Sequence, residues 1–218
     1  MPAGGRAILP AVPFLTFEGV EGCGKSTQLA LLAARLRLAG RPVETTREPG
    51  GTPIGEKIRT ILMDPAHAEL DPMAEWLLIE AARRQHVRDV IAPALERGTF
   101  LLCDRFSDST EAYQHAGRGL DAALVKNVDE RARDRVAPDL TLLYDLDPEK
   151  GLSRARSRDA DRPGRFEAAE LALHQKVRRA YLEIARREPH RVAVIAVQGD
   201  AQAVFVETWR IVAGRYGL

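Results

Sequence analysis

The segment Phe17–Gln28 reads FEGVEGCGKSTQ and carries a Gly-x-x-x-x-Gly-Lys-Ser pattern at Gly19, Gly24, Lys25 and Ser26. Glycines at this spacing let backbone N–H groups turn inward around phosphate oxygens, and a following helix adds the positive end of its dipole. In such a loop the lysine reaches the outer phosphates of a nucleotide and the hydroxyl ligates Mg²⁺. Gly19, Glu21, Gly22, Cys23, Gly24, Lys25, Ser26 and Thr27 are therefore read as the phosphate-holding residues. Glu21 is the odd member, because an acid facing a polyanion repels it.

Other stretches could supply the rest of a phosphoryl-transfer site. LLCDRF is an apolar run ending in Asp104, an acid suited to organising Mg²⁺, so Ser26 and Asp104 form the candidate metal pair. Arg105 follows it directly and Arg47 begins REPGGT; both could grip an acceptor phosphate. WLLIEAARRQHV puts Ile79 and Arg83 on one helical face, with His86 close to it. SDSTEAYQ offers Ser109, Thr110, Tyr113 and Gln114 as groups able to read a base edge, although it also resembles an ordinary polar helix start. Arg154, Arg156, Arg158, Arg162 and Arg165 crowd a short stretch that includes Pro163 and Gly164, as a closing lid would.

These residues need a scaffold. VPFLTF, VETT, TFLLCD, LTLLYDL and RVAVIAV are short apolar or β-rich runs separated by helical patterns. That alternation predicts a five-stranded parallel sheet with helices on both faces, with ligands at the carboxyl ends of the strands. Gly40 should stop the helix that begins at Lys25, Asp71-Pro72 should start a long helix bent near Pro93, and a last helix should begin near Ala201. Residues 1–11 read as a flexible leader and residues 12–218 as one domain, with the lid at about 154–166.

The chain has 218 residues, 45% apolar and 29% charged, with a net charge of +1. No global field points to nucleic acid or a membrane surface. No apolar run reaches the ~18 residues of a membrane span. The two cysteines suggest no disulfide framework, so a cytoplasmic address is expected. The phosphate loop alone leaves GTPases, ATPase motors and small-molecule kinases open. No Asn-Lys-x-Asp base-reading motif is found and the chain is short for a motor, which favours a kinase of a small acceptor. The rivals are another nucleotide or nucleoside kinase, or a nucleotide-binding switch.

FEGVEGCGKSTQ, TREPGGT, EAARRQHV, DRFSDSTEAYQ, GRGL, PDLTLLYDLDPE and RFE, in this order, resemble the bacterial thymidylate kinase family from Phe14 to about Ile211. The resemblance implies a P-loop NTPase three-layer α/β fold with a short arginine-rich lid. It also implies a homodimer and Mg²⁺-dependent transfer from ATP to dTMP, giving dTDP for dTTP synthesis. On that reading Lys25, Arg105 and a lid arginine (Arg154 or Arg158) are catalytic. Arg47 and Arg105 grip the dTMP phosphate, while Ile79, Arg83, Ser109, Thr110, Tyr113 and Gln114 surround thymine and deoxyribose. Many members of the family carry phenylalanine where this chain has Ile79. Some carry an arginine inside the loop where this chain has Gly22, so the lid must supply that charge. Glu21 would then face the acceptor, meeting its 3′-hydroxyl or steadying an arginine.

Overall fold

The computed structural model describes residues 13–158 and 171–218. The predicted leader and the lid residues Arg162 and Arg165 lie outside the described residues, as does the side chain of Arg158. Five strands form one parallel sheet: β1 (Phe14–Glu18), β2 (Val43–Arg47), β3 (Phe100–Asp104), β4 (Leu140–Asp145) and β5 (Val192–Ala196), in the order β2-β3-β1-β4-β5. The pairing places Phe17 beside Asp104, and Arg47 beside Asp104, so three strands deliver their carboxyl ends to one place.

Alternation along the strands separates two cores. Leu15, Phe17 and Leu102 enter one cluster with Leu32, Leu36, Tyr144 and Tyr181. Their neighbours Phe14, Leu101 and Cys103 enter the other with Val87, Ile91 and Phe106. The inner strands β1, β3 and β4 are buried on both faces and read as continuous apolar runs, whereas the edge strands β2 and β5 are partly exposed and β2 is marked only by its β-rich VETT.

The helices are α1 (Lys25–Leu38), α2 (Pro53–Met63), α3 (Pro72–His86), α4 (Ala92–Glu96), α5 (Ser107–Thr110), α6 (Ala122–Ala132), α7 (Pro148–Arg158), α8 (Leu171–Arg187) and α9 (Ala201–Tyr216). Helix α1 ends at Ala39 with Gly40 at φ 72°, as its glycine predicts. Asp71 caps α3 by accepting from the N–H groups of Met73 and Ala74. The irregularity expected at Pro93 lies just before it, as a π-helical turn over Val87–Ile91. Proline removes an N–H and crowds the carbonyl four residues earlier, and the wider turn relieves both. A second π-helical turn, Glu111–Gly117, continues α5.

Candidate active site

Strand β1 runs straight into the glycine loop, and the loop's shape depends on backbone contacts that only glycine permits. Gly22 has φ 69°, and a Cβ there would lie 2.0 Å from the carbonyl oxygen of Gly151 in α7. Gly24, at φ 94°, opens α1. The Lys25 ammonium donates to the carbonyls of Gly19 and Val20 at 3.1 and 3.0 Å, folding over the loop. Ser26 Oγ donates to Asp104 Oδ2 at 2.8 Å. The predicted metal pair therefore meets at the end of β1 and β3. A hydroxyl and a carboxylate are hard oxygen donors of the kind Mg²⁺ accepts while keeping water and phosphate as its other ligands. Among the described residues no group of three or more His, Cys, Asp or Glu side chains could hold a metal by itself.

Beside the loop lies a cleft of about 800 Å³ whose walls carry most of the predicted residues. Arg105 is its best-braced cation. Its backbone sits at φ 70°, a left-handed conformation that an arginine rarely adopts. One terminal nitrogen donates to Glu21 Oε1 at 2.6 Å and to the Tyr113 hydroxyl at 3.3 Å. The other donates to Ser109 Oγ and the Tyr181 hydroxyl, both at 3.2 Å. The guanidinium also stacks on Tyr113, 5.0 Å from the ring centre. Burial would raise the Glu21 pKa, but Arg105 and then Lys25 outweigh it and hold the carboxyl at about 2. The loop acid is thus turned to an arginine rather than to the phosphate cradle.

Ser109 borders the cleft and is also tied to a second group behind it. Its hydroxyl donates to Glu18 Oε2 at 2.6 Å and pairs with Tyr181 at 2.8 Å. It braces Arg105 while bordering the cleft. Glu18, which the motif reading missed, is the centre of that brace: it accepts from Phe106 N, Ser109 and Tyr181. Burial, and next the charge of Asp108, push its carboxyl up to about 7. In the sequence Glu18 is one acid inside an apolar strand, with no spacing to mark it.

Two further arginines face the same region. Arg47 is exposed and pairs with Glu56 at 2.8 Å. Arg59 in α2, also missed, lines the cleft and donates to the Pro49 carbonyl at 3.0 Å. Burial, followed by the charges of Arg47 and Arg105, lowers its pKa. Arg47 and Arg105 thus lie close enough to disfavour the charge of Arg59, and cations gathered in this way make a place for an anion. No sequence signal pointed to Arg59, because its register with Arg47 depends on how α2 folds back.

Arg83 is neither snorkelling nor exposed. It is 1% accessible, and its nitrogens donate to Glu48, Glu80, Thr110 and Asp129, each at 2.8 Å. Burial would lower its pKa; Glu80, Glu48 and Asp129 raise it. Among the described residues no hydrogen bond engages its second terminal nitrogen. The Nδ1 of His86 pairs with Glu48 Oε1 at 2.9 Å, and its Nε2 with Thr46 at 2.6 Å. Ile79, Thr110, Tyr113 and Gln114 line the cleft with Arg83, and Trp76 is buried in the core instead of joining them.

Arg154 borders the cleft from α7, whereas Arg156 is exposed on the same helix. Val197, Gly199, Asp200, Ala201 and Val204, which no motif singled out, line it from the β5–α9 side. Gly19 supports the loop from behind: a Cβ there would lie 2.5 Å from the Tyr144 carbonyl. Cys23 and Cys103 are buried and burial pushes both thiols up, which makes them poor nucleophiles.

A family model described as thymidylate kinase matches residues 17–207 of the chain. A thymidylate kinase from Trichlorobacter lovleyi is 52% identical over 186 residues, covering 84% of this chain and 88% of that one. The Deinococcus radiodurans thymidylate kinase is 48% identical over 202 residues, covering 93% and 97%. The crystal structure of thymidylate kinase from Ehrlichia chaffeensis superimposes with a TM-score of 0.75 at 33% identity, covering 93% of this chain and 99% of that one.

Proposed function

The chain belongs to the thymidylate kinase family, and on that premise we propose that its cleft transfers the γ-phosphoryl group of ATP to the 5′-phosphate of dTMP, forming dTDP. The observation that carries this reading is the convergence of Arg47, Arg59 and Arg105 beside the glycine loop, with Glu21 steadying Arg105. A dianionic acceptor fits that group of cations. A nucleoside lacking the phosphate gives them nothing to hold.

Phosphoryl transfer needs alignment and charge stabilisation more than covalent help. Lys25 and the loop N–H groups hold the donor phosphates. Ser26 and Asp104 would hold Mg²⁺, which when bound would neutralise phosphate charge. Arg105 presents the acceptor phosphate oxygens in line, and Arg154 or Arg158 covers the transferring group. The acceptor phosphate is already largely ionised, with a second pKa of ~6, so no general base is assigned. Val197 to Val204 form the wall left for the donor base. Ile79 covers the thymine by dispersion.

We assign the same proposal a homodimer in the cytoplasm. Exposed Ile54, Ile61, Met73 and Leu77 on the neighbouring helices α2 and α3 support association, and light scattering of the purified chain tests it. No helix of the described residues is long and apolar enough to cross a membrane.

The deciding experiment is a coupled ADP assay with dTMP, dUMP, dCMP and thymidine as acceptors. ADP should form only with an acceptor, and fastest with dTMP. Lys25→Ala and Arg105→Ala should each lower the rate by ~10²–10³-fold, the usual cost of one charge-stabilising group, with an unchanged far-UV spectrum. Acceptor-independent ADP release would instead identify a hydrolytic switch.

A further inference from the structure

The cleft wall around Gln114 contains a polarity lock. Gln114 lines the cleft yet is 2% accessible. Its amide nitrogen donates to Glu75 Oε1 at 2.9 Å. Glu75 lies in the first turn of α3, is 0% accessible and does not border the cleft. Its other oxygen accepts from Arg118 at 3.1 Å. The backbone of Gln114 is held as well, because its carbonyl accepts from Leu120 N at 3.2 Å.

An ionised carboxylate only accepts, whereas an amide has a donating end and an accepting end. Paired with a guanidinium on one side, Glu75 can take only the –NH₂ end of Gln114. Turning the amide over would set its oxygen against a carboxylate oxygen and leave a buried acceptor unmatched. The end left for a ligand is therefore the carbonyl oxygen. Across the same wall, the unengaged terminal nitrogen of Arg83 can only donate. The wall presents one donor and one acceptor in fixed order.

We propose that Glu75 is the residue that sets pyrimidine specificity, by locking Gln114 as an acceptor toward the acceptor base. The proposal rests on the dTMP reading above. Thymine and uracil carry a carbonyl at C4 and a hydrogen on N3, so they complement Arg83 and Gln114. Cytosine carries an amino group and a bare ring nitrogen at the same positions and meets like with like. A site built to hydrogen-bond one pattern discriminates far more strongly than an apolar pocket does. This selection works on the base edge without an aromatic ring at Ile79. Glu75 is a positioning residue: it touches Gln114, not the substrate.

The test is the dTMP, dUMP and dCMP panel applied to wild type, Glu75→Gln, Gln114→Met and the double variant. Glu75→Gln can donate or accept, which frees the Gln114 amide to turn. The ratio of kcat/KM for dTMP over dCMP should fall at least ~10-fold, mainly through the KM for dTMP. The dTMP over dUMP preference should stay unchanged, since those bases share the edge. Gln114→Met should lose the dTMP over dCMP preference by itself, whether or not Glu75→Gln folds. In that background Glu75→Gln should add nothing. An unchanged dTMP over dCMP ratio in either single variant, or an equal further loss in the double variant, would overturn the proposal. Equal losses with all three acceptors, pointing to a merely structural role, would overturn it too. A wild type inactive on dTMP would sink the functional reading itself, so the two failures are distinguishable.

Discussion

Arg105 and Arg83 hold their charges in opposite ways. Arg105 is braced by one carboxylate, Glu21, and by hydroxyls that can rearrange around a phosphate. Arg83 is buried among three carboxylates, and these cannot all be ionised comfortably around one guanidinium. Burial, ahead of the opposing pull of Arg83, pushes Glu80 up to about 7. A carboxyl whose folded pKa exceeds its unfolded value binds its proton more tightly in the native state. Its contribution to stability is therefore full below the unfolded pKa and is lost as pH rises through the folded one. Glu80→Gln removes that dependence. Urea denaturation at pH 5 and pH 8 should show the variant gaining on wild type by up to about 3 kcal/mol over that interval, the equivalent of the shift. A pH-independent difference between the two proteins would show that Glu80 is ionised throughout.

The elements matter mainly where backbones touch. Gly22 of the loop and Gly151 of α7 approach so closely that a Cβ on either would strike the other segment, at 2.0 Å from the Gly151 carbonyl and 2.3 Å from the Glu21 carbonyl. This contact brings α7, and with it Arg154, to the glycine loop. With α7 in this place there is no room for a side chain at position 22. Gly22→Ala should cost about 1–2 kcal/mol for its left-handed backbone alone, with the collision in addition. Activity should fall by far more than the stability loss explains, because the loop must move off α7. A variant with normal kcat and KM would mean that α7 yields without disturbing the site. The π-helical turns have a comparable origin, one of them relieving Pro93 and the other carrying Tyr113 and Gln114 to the cleft.

Across the whole molecule, a parallel sheet gathers the ends of β1, β2 and β3, so residues from Glu21 to Arg105 meet in one cleft. Binding at such a cleft stabilises the entire fold. At about a hundred times its Kd, dTMP should raise the unfolding free energy by about 2.7 kcal/mol. Thermal denaturation with and without dTMP reads this directly, and Arg105→Ala should abolish the shift. A shift that survives this substitution would move the acceptor phosphate away from Arg105.

The sequence by itself determined the sheet, the glycine loop and the Ser26–Asp104 pair. Apolar strands, φ-permissive glycines and strand-end acids are local features, and each leaves its own mark in the chain. It also named Arg47, Arg83, Arg105, Thr110, Tyr113 and Gln114, all found around one cleft. Only the tertiary structure decided what holds them. Glu75 and Arg59 lie in no quoted motif, and Glu18 and Glu48 lie in motifs that assign them no role, because their meaning comes from partners 39, 10, 91 and 35 residues away. The direction of Glu21 was settled the same way. Its carboxylate turns to Arg105, 84 residues on, because that half-buried cation outweighs the cost of burying an acid.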